Sequence, residues 1–197
     1  MTVDPQRVEH EYFFAACDYY IDGRFAFWTN QRIVCGNLLH HAIEFFLKGC
    51  LYPRLSLVEL KEIGHDLPRL WRRFEKEASS DSRLSSFDRT IGELQAFEAI
   101  RYPEQLFRRG GAVTFEIFLT RADVNTAARL TKVKRRSAAY RLAMAEVDQL
   151  VRLLFELCDL SPEAFLLGRP PNRERRRYLL KGNVAWGRLR KSGGGDA

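Results

Sequence analysis

Residues 29–51 read TNQRIVCGNLLHHAIEFFLKGCL and form the strongest apolar segment of the chain. Tyr52 and Pro53 follow directly, and a proline cannot continue the hydrogen-bond ladder of a helix. The sequence therefore predicts a helix that ends before Pro53. Because apolar side chains occupy most of its circumference, we expect this helix to lie at the centre of the fold.

One narrow line of polar side chains runs along this helix. Successive residues turn by about 100°, and at that angle four polar positions align: Asn37, His41, Glu44 and Lys48. In one interpretation the line is the solvated edge of the helix, where a Glu44–Lys48 pair contributes about 0.2–0.5 kcal/mol. In the other it lines a cleft, and Glu44 faces a basic residue of another helix. The best basic candidate is Arg101, so the candidate cleft comprises Asn37, His41, Glu44, Lys48, Arg101 and Tyr102.

Helical patterns flank this segment on both sides. Apolar periodicity and turn residues predict further helices at residues 5–21, 66–78, 84–100 and 137–158, and a short helical turn at 56–63. Residues 104–136 are harder to interpret: residues 112–118 could form a short strand, and a hairpin and a loose lid both stay open. The predicted fold class is all-α, an up-and-down bundle of four or five helices, with a short β-hairpin or an irregular insertion after the fourth helix.

The net charge of +7 is concentrated at the C-terminal end of the chain. Residues 168–197 contain nine basic and two acidic residues, whereas residues 1–167 contain 23 of each and are neutral. We therefore expect a helical bundle over residues 1–167 and a basic tail over residues 168–197 that is partly disordered. Apolar residues within the tail, Leu179-Leu180 and Val184-Ala185-Trp186, suggest that it docks on another surface.

Two basic runs could contact the phosphates of a nucleic acid. The first spans residues 129–136 and the second residues 173–177, and Tyr178 or Trp186 could stack on bases. The alternative is that both runs are solvated charges without a ligand. The candidate nucleic-acid-binding residues are Arg129, Lys132, Lys134, Arg135, Arg136, Arg173, Arg175, Arg176 and Arg177.

Cysteine usage and hydropathy indicate the compartment. The four cysteines (Cys17, Cys35, Cys50 and Cys158) lie far apart in apolar stretches without a CxxC pair, so we expect buried reduced thiols rather than a metal site or disulfides. No stretch approaches the roughly 18–20 apolar residues of a membrane span, and residues 1–11 carry acids where a signal peptide carries basic and then apolar residues. These features predict a cytoplasmic protein without a membrane partner.

Sequence motifs for catalysis and for cofactors are not found. The patterns GxSxG, GxGxxG and GxxxxGK[ST] do not occur, so we expect no cofactor, no metal and no assignable catalytic residue. His65 could be a metal ligand or a general base, but a histidine in a Gly-His-Asp turn more often hydrogen-bonds locally. We therefore interpret His65 as a helix-start residue.

Three segments together resemble the HEPN superfamily of small helical-bundle proteins. They are residues 37–49 (NLLHHAIEFFLKG), then Gly64-His65-Asp66-Leu67, then Arg101-Tyr102-Pro103, and the resemblance covers roughly residues 8–165. It implies an up-and-down bundle of four or five helices that is usually a homodimer. Members of the superfamily occur in toxin–antitoxin and antiviral systems, with nucleotide-binding partners, or as accessory domains.

Many members of that superfamily are metal-independent RNases that use an arginine followed, after four to six residues, by a histidine. Arg101 would take the arginine position, and Leu106, Phe107 and Arg108 stand where the histidine would. None of the four histidines of the chain has an arginine five to seven positions before it. The resemblance therefore implies the fold and a Glu44–Arg101 pairing, but it does not imply nuclease activity.

The sequence supports three functional hypotheses. The leading one is a non-catalytic HEPN-like domain that binds a nucleotide, RNA or a protein partner, in a toxin–antitoxin or defence context. The second is a divergent metal-independent RNase in which Arg101, Tyr102 and a group such as His41 take the missing roles. The third is a homodimeric scaffold without a nucleic-acid role.

Overall fold

The structure is a computed structural model that describes residues 5–77, 81–101, 114–133, 139–167 and 173–190. Helices dominate these residues, as the sequence predicts. In chain order they are α1 (Pro5–Trp28), α2 (Arg32–Leu51), α3 (Leu57–Ile63), α4 (Leu67–Glu77), α5 (Asp88–Glu98), α6 (Arg121–Val133), α7 (Met144–Leu157) and α8 (Arg173–Leu180). Short 3₁₀ turns lie at Leu84–Phe87, Ala99–Arg101 and Gly187–Arg190, and a π-helical turn lies at Glu163–Leu167. Two strands, β1 (Thr114–Phe118) and β2 (Ala139–Ala143), form a small sheet.

Helix α2 is the centre of the fold, as its apolar sequence predicts. It packs most extensively against α1 and also contacts α4, α5, α7 and β1. It ends at Leu51, shortly before the helix-breaking Pro53. Its fully buried side chains belong to one apolar core that it shares with its neighbours, and they include Leu39, Ile43, Phe46 and Leu47.

Helix α1 continues to Trp28, beyond the end that the sequence predicts at residue 21. The predicted end at residue 21 is therefore wrong, and the turn-forming residues Asp22-Gly23 do not stop the helix. Gly23 lies inside the helix, where a Cβ atom on it would come 2.8 Å from Cδ2 of Leu39 on α2. The glycine thus allows the two helices to approach each other closely, and it is a packing residue rather than a turn residue.

The insertion after α5 forms a β-α-β unit rather than a hairpin. Strand β1 lies where the sequence allows a strand, but it pairs with β2 in parallel, in a register that sets Thr114 opposite Ala139. Parallel strands need a crossover connection, and α6 supplies it. The helix predicted at residues 137–158 consequently begins later, at Met144, because residues 139–143 belong to β2.

Part of the predicted tail packs on the bundle. Helix α8 contacts α1, and three side chains of residues 173–190 belong to the apolar core: Leu179, Trp186 and Leu189. The predicted docking is confirmed for Leu179 and Trp186, whereas Val184 is exposed. Residues 173–190 are therefore not separate from the bundle, since they supply side chains to its core. Residues 168–172 and 191–197, which include the end predicted to be disordered, lie outside the described residues.

Cys50 and Cys158 form a disulfide bond, so the prediction of four reduced thiols is wrong. Cys50 lies near the end of α2 and Cys158 directly follows α7, with Cα atoms 6.1 Å apart. The two residues are 108 positions apart in the sequence, so no local spacing could indicate the pair. The thiols of Cys17 and Cys35 are reduced and buried, as predicted.

One finding concerns membrane-spanning helices and another concerns the redox environment of the chain. Within the described ranges, no helix is both long and apolar enough to cross a membrane. Disulfide bonds are rare in strongly reducing compartments, so the Cys50–Cys158 bond counts against such a compartment. The cytoplasmic location stays a prediction.

Candidate functional site

Glu44 is the centre of a cluster of polar side chains that joins α2 to the turn before α4. Its side chain is 1% exposed. Lys48 Nζ donates a hydrogen bond to Glu44 Oε1 over 2.7 Å, and His41 Nδ1 lies 3.2 Å from Oε2. His65 Nδ1 lies 2.9 Å from Oε2 and 3.0 Å from Oε1. An ionised carboxylate accepts hydrogen bonds and donates none, so both imidazole rings carry a proton on Nδ1.

The predicted polar line is therefore not a solvated edge at Glu44. Glu44 contacts both His41 and Lys48, because residues three and four apart share a face of a helix. Asn37, one turn before His41, instead donates to the backbone carbonyl of Ile33 over 3.3 Å. The side chain of Asn37 thus lies on the predicted line but donates its hydrogen bond to the backbone of its own helix.

Among the described side chains, the ammonium group of Lys48 forms an ion pair with Glu44. The two atoms that join Glu44 to Lys48 are 2.7 Å apart. Arg101 ends the 3₁₀ turn after α5, but its side chain and all of Tyr102 lie outside the described residues. The Glu44–Arg101 pairing therefore stays a prediction.

A sharp reversal of the chain brings His65 to Glu44. Helix α3 is followed by Gly64, whose φ of 67° lies in the left-handed region that favours glycine. Asp66 Oδ1 then accepts a hydrogen bond from the backbone N–H of Arg69 over 2.9 Å, which caps α4. His65 lies between these two caps, so the backbone fixes its position. Its interpretation as a locally bonded residue is wrong, because its ring bonds to Glu44, 21 positions away.

His40 extends the cluster towards α5 and is fully buried. Its Nδ1 atom lies 3.3 Å from the backbone carbonyl of Leu94, which accepts hydrogen bonds only, so Nδ1 carries the proton. Its Nε2 atom makes no hydrogen bond, and it lies 3.4 Å from Glu98 Oε2 and 3.8 Å from Glu44 Oε2. Burial lowers the pKa of His40, while the charges of Glu98 and Glu44 act in the opposite direction. The neutral ring therefore presents a bare lone pair on Nε2.

The Glu44 carboxyl group stays ionised at neutral pH. Burial alone would raise the pKa of Glu44. Hydrogen bonds from His41, His65 and Lys48 outweigh this effect and lower the pKa from 4.5 to about 2. Burial and then the charge of Glu44 raise the pKa of Tyr12 on α1. The cluster thus carries a negative charge on Glu44 at neutral pH, and this charge affects the pKa of Tyr12.

Aromatic side chains form one wall of the cluster. The ring centroid of Tyr19 on α1 lies 5.4 Å from that of His41 and 5.5 Å from that of Phe45. On the other side, the ring of His65 lies 6.0 Å from that of His41, and the His65 side chain is 55% exposed. The cluster is therefore closed towards Tyr19 and reaches solvent at His65.

Glu44 contacts only the Nδ1 atoms of His41 and His65, so the Nε2 atom of each ring is available to a ligand. Because both Nδ1 atoms donate to the carboxylate, each neutral ring presents Nε2 as an acceptor and each protonated ring presents it as a donor. A buried carboxylate that orients an imidazole in this way occurs in acid–base catalysis. The ligand atoms of His40, His41 and Glu44 also lie within 4.8 Å of one another, close enough to share a metal ion.

His40, His65 and Glu98 belong to the cluster but are not among the residues predicted for it. The His40-His41 doublet on an apolar helix is a visible signal in the sequence. The Gly-His-Asp turn at His65 is a weaker one, because the same pattern fits a local role. Glu98 has no local signal, since the packing of α5 against α2 is what brings it to His40.

The first predicted nucleic-acid-binding run is described only in part. Arg129 is exposed on α6. Lys132 lies in the same helix, but its side chain is outside the described residues, as are all of Lys134, Arg135 and Arg136. A phosphate-binding role for this run stays a prediction.

The second run lies on α8. Arg175 forms ion pairs with Asp18 and Asp22 of α1, at 3.2 Å and 3.1 Å. Arg173 and Arg177 are exposed, and Arg176 is half-buried. Arg175 therefore holds α8 on α1, whereas Arg173 and Arg177 present their guanidinium groups to solvent.

Comparisons with protein-family models, with curated proteins and with solved structures find no match to this chain. The resemblance to the HEPN superfamily therefore stays a prediction, and the geometry of the cluster is the basis for a functional proposal.

Proposed function

We propose that this chain is a HEPN-like helical domain that binds RNA through the His41–His65 pair and the exposed arginines of α8. The observation that carries the proposal is the buried Glu44 carboxylate, which holds two imidazole rings by their Nδ1 atoms. Protonated imidazole and guanidinium groups are common partners of phosphate oxygens. RNA is favoured over a free nucleotide because α8 adds arginines beyond the two histidines, and each phosphate contact adds affinity.

Fluorescence anisotropy with a labelled single-stranded RNA, at two salt concentrations, tests this proposal. The double variant Arg173→Gln, Arg177→Gln should bind more weakly and show a shallower dependence on salt, because two phosphate contacts are lost. His65→Ala should weaken binding, whereas His10→Ala, at an exposed position on α1, should leave it unchanged. Binding that is equal in all of these variants would contradict the proposal.

Charge variants are a better test than removal of residues 168–197. Truncation would also remove Leu179 and Trp186 from the apolar core and would destabilise the bundle. The glutamine variants change charge at exposed positions and leave the core intact. A loss of RNA binding in them therefore reports on phosphate contacts.

A divergent RNase is a second candidate, favoured by the two imidazole rings that share one carboxylate. In an acid–base mechanism, Nε2 of one ring takes the proton of a ribose 2′-OH while that oxygen attacks the adjacent phosphorus. The other ring, protonated, gives its proton to the departing 5′-oxygen, which leaves a 2′,3′-cyclic phosphate and a 5′-OH. Cleavage should be lost in His41→Ala and in Arg101→Ala, and a 2′-deoxy residue at the cleavage site should resist it.

A homodimer is part of the proposal, because the superfamily that the sequence resembles is usually dimeric. Light scattering of the purified chain measures this directly. A dimeric mass with no RNA shift would favour the third hypothesis, a scaffold without a nucleic-acid role. A toxin–antitoxin or defence context rests on the resemblance alone.

A further inference from the structure

We propose that His40, His41 and Glu44 bind a divalent transition-metal ion, with Zn²⁺ as the best-suited metal. The site uses Nε2 of His40, Nδ1 of His41 and Oε2 of Glu44. The inference goes beyond RNA binding and does not depend on it, because it concerns these three ligand atoms and can be tested with the metal alone.

The ligand atoms have the spacing that such an ion requires. Zn²⁺ lies about 2.0–2.2 Å from nitrogen and oxygen ligands, so two ligands of a tetrahedral site are about 3.3 Å apart. Oε2 of Glu44 lies 3.2 Å from Nδ1 of His41 and 3.8 Å from Nε2 of His40. The three ligand atoms all lie within 4.8 Å of one another. The two separations that involve Oε2 are therefore close to those of a tetrahedral site.

The Nε2 atom of His40 is the independent observation that points to a cation. This atom is buried and makes no hydrogen bond. Because Nδ1 faces the carbonyl of Leu94, Nε2 is the ring nitrogen that remains for a cation, and it lies 3.8 Å from Oε2 of Glu44. A buried polar atom without a hydrogen bond costs free energy, and a cation bound to Nε2 and to the Glu44 carboxylate would satisfy it.

Contacts around the ligands orient them for metal binding. The carbonyl of Leu94 fixes the tautomer of His40 in which Nε2 is the basic atom, a common arrangement for metal-bound histidines. Lys48 bonds to Oε1 of Glu44, and His65 Nδ1 lies 3.0 Å from the same oxygen. These two residues can keep their bonds to Oε1 while Oε2 binds the ion.

Metal binding requires one proton to move within the neutral His41 ring. In the structure, Nδ1 carries the proton because it donates to Glu44. When Nδ1 binds the ion, the ring carries its proton on Nε2 instead, so no net proton is released by His41. The fourth position of the ion stays available for an external ligand, as in sites with three protein ligands.

The ligand set selects the class of metal. Two imidazole nitrogens and one carboxylate oxygen suit Zn²⁺ and neighbouring first-row ions. Mg²⁺ and Ca²⁺ prefer all-oxygen sites. Mg²⁺ is therefore a matched negative control for Zn²⁺ at equal charge.

Calorimetric titration of the full chain, freed of metal by a chelator that is then removed, tests the proposal. We expect one Zn²⁺ per chain and no heat with Mg²⁺. His41→Ala, at the less buried ligand, should weaken Zn²⁺ binding at least tenfold, and His40→Gln should do the same. His10→Ala, the histidine outside the cluster, should bind as the original chain does.

Cobalt spectroscopy excludes a site at the thiols of Cys17 and Cys35. Co²⁺ at the proposed site should give ligand-field bands without the charge-transfer band of a cobalt–thiolate bond. A thiolate band, an unchanged affinity in His41→Ala and His40→Gln, or the absence of Zn²⁺ binding would each overturn the proposal. RNA binding measured with a chelator present shows separately whether the proposed function holds.

Discussion

Arg24 on α1 and Asp148 on α7 form an ion pair that is closed off from water, with side chains 0% and 2% exposed. Tyr20 donates a further hydrogen bond to Asp148 over 2.7 Å. Arg24 also donates to the backbone carbonyls of Tyr178, over 3.2 Å, and of Lys181 at the end of α8. One guanidinium group therefore connects three helices, and it attaches α8 to the bundle.

Removal of the Asp148 carboxylate should lower the free energy of unfolding of the chain. Asp148→Ala leaves the Arg24 charge buried without its counter-ion, which should cost about 3–5 kcal/mol of unfolding free energy in a urea titration. The control is Asp18→Ala, whose ion pair with Arg175 is partly exposed and should change stability by less than about 1 kcal/mol. Equal effects of the two substitutions would show that the buried pair contributes little.

Glu44→Ala should also be strongly destabilising. The substitution leaves the buried Lys48 without its carboxylate and removes the acceptor of His41 and His65. We expect a loss of about 3–5 kcal/mol in the free energy of unfolding. The surface control Glu156→Ala, which breaks exposed pairs with Arg83 and Arg152, should stay within about 1 kcal/mol. A Glu44→Ala chain as stable as the control would remove the basis for the cluster.

Acid should abolish the contribution of Glu44 to stability. Its pKa is about 2 in the folded chain and has an ordinary value of 4.5 when the chain unfolds, so the folded state binds its proton less tightly. The stabilisation is therefore complete above pH 4.5 and is lost as the pH falls towards 2, by on the order of 3 kcal/mol. Unfolding titrations of the original chain and of Glu44→Gln between pH 2 and 6 should converge at the acidic end. A constant difference across that range would contradict the low pKa.

Reduction of the Cys50–Cys158 bond should lower stability, because the bond closes a long loop between α2 and the end of α7. A disulfide of this kind contributes about 2–5 kcal/mol. A reductant should lower the melting temperature of the original chain but not that of the double variant Cys50→Ala, Cys158→Ala. In the unfolded, unreduced chain, thiol reagents should modify Cys17 and Cys35 alone. Modification of all four cysteines without reductant would show that the bond is not formed.

Local sequence rules predict the central elements of this fold well. Pro53 predicts the end of α2, because a proline in the interior of a helix breaks its hydrogen-bond ladder. The Ser56–Glu59 spacing predicts a capping box, and both of its hydrogen bonds are present at the start of α3. These features depend on residues within a few positions of one another. The order of helices α1 to α5 and α7 therefore follows from the sequence, whereas α6 and α8 are not among the predicted helices.

Contacts between distant residues are what the sequence leaves undetermined. Asp148 stands beside the apolar stripe of α7, and nothing near it indicates that Arg24, 124 positions earlier, neutralises it. Cys50 and Cys158 likewise become neighbours through the packing of whole helices. The candidate site is an intermediate case. The line of His41, Glu44 and Lys48 is visible on one helix, but the contribution of His65 requires the reversal at Gly64.

The buried thiol of Cys35 makes the opening of the central helix measurable. Burial raises the pKa of this thiol to about 12, so at neutral pH it is protonated and inert while the helix stays packed. A thiol reagent can then modify Cys35 only during moments when α2 detaches from its neighbours. The rate at which Cys35 is modified therefore measures how often α2 detaches. Because Cys35 and Glu44 lie on the same helix, a ligand that binds the cluster should lower this rate.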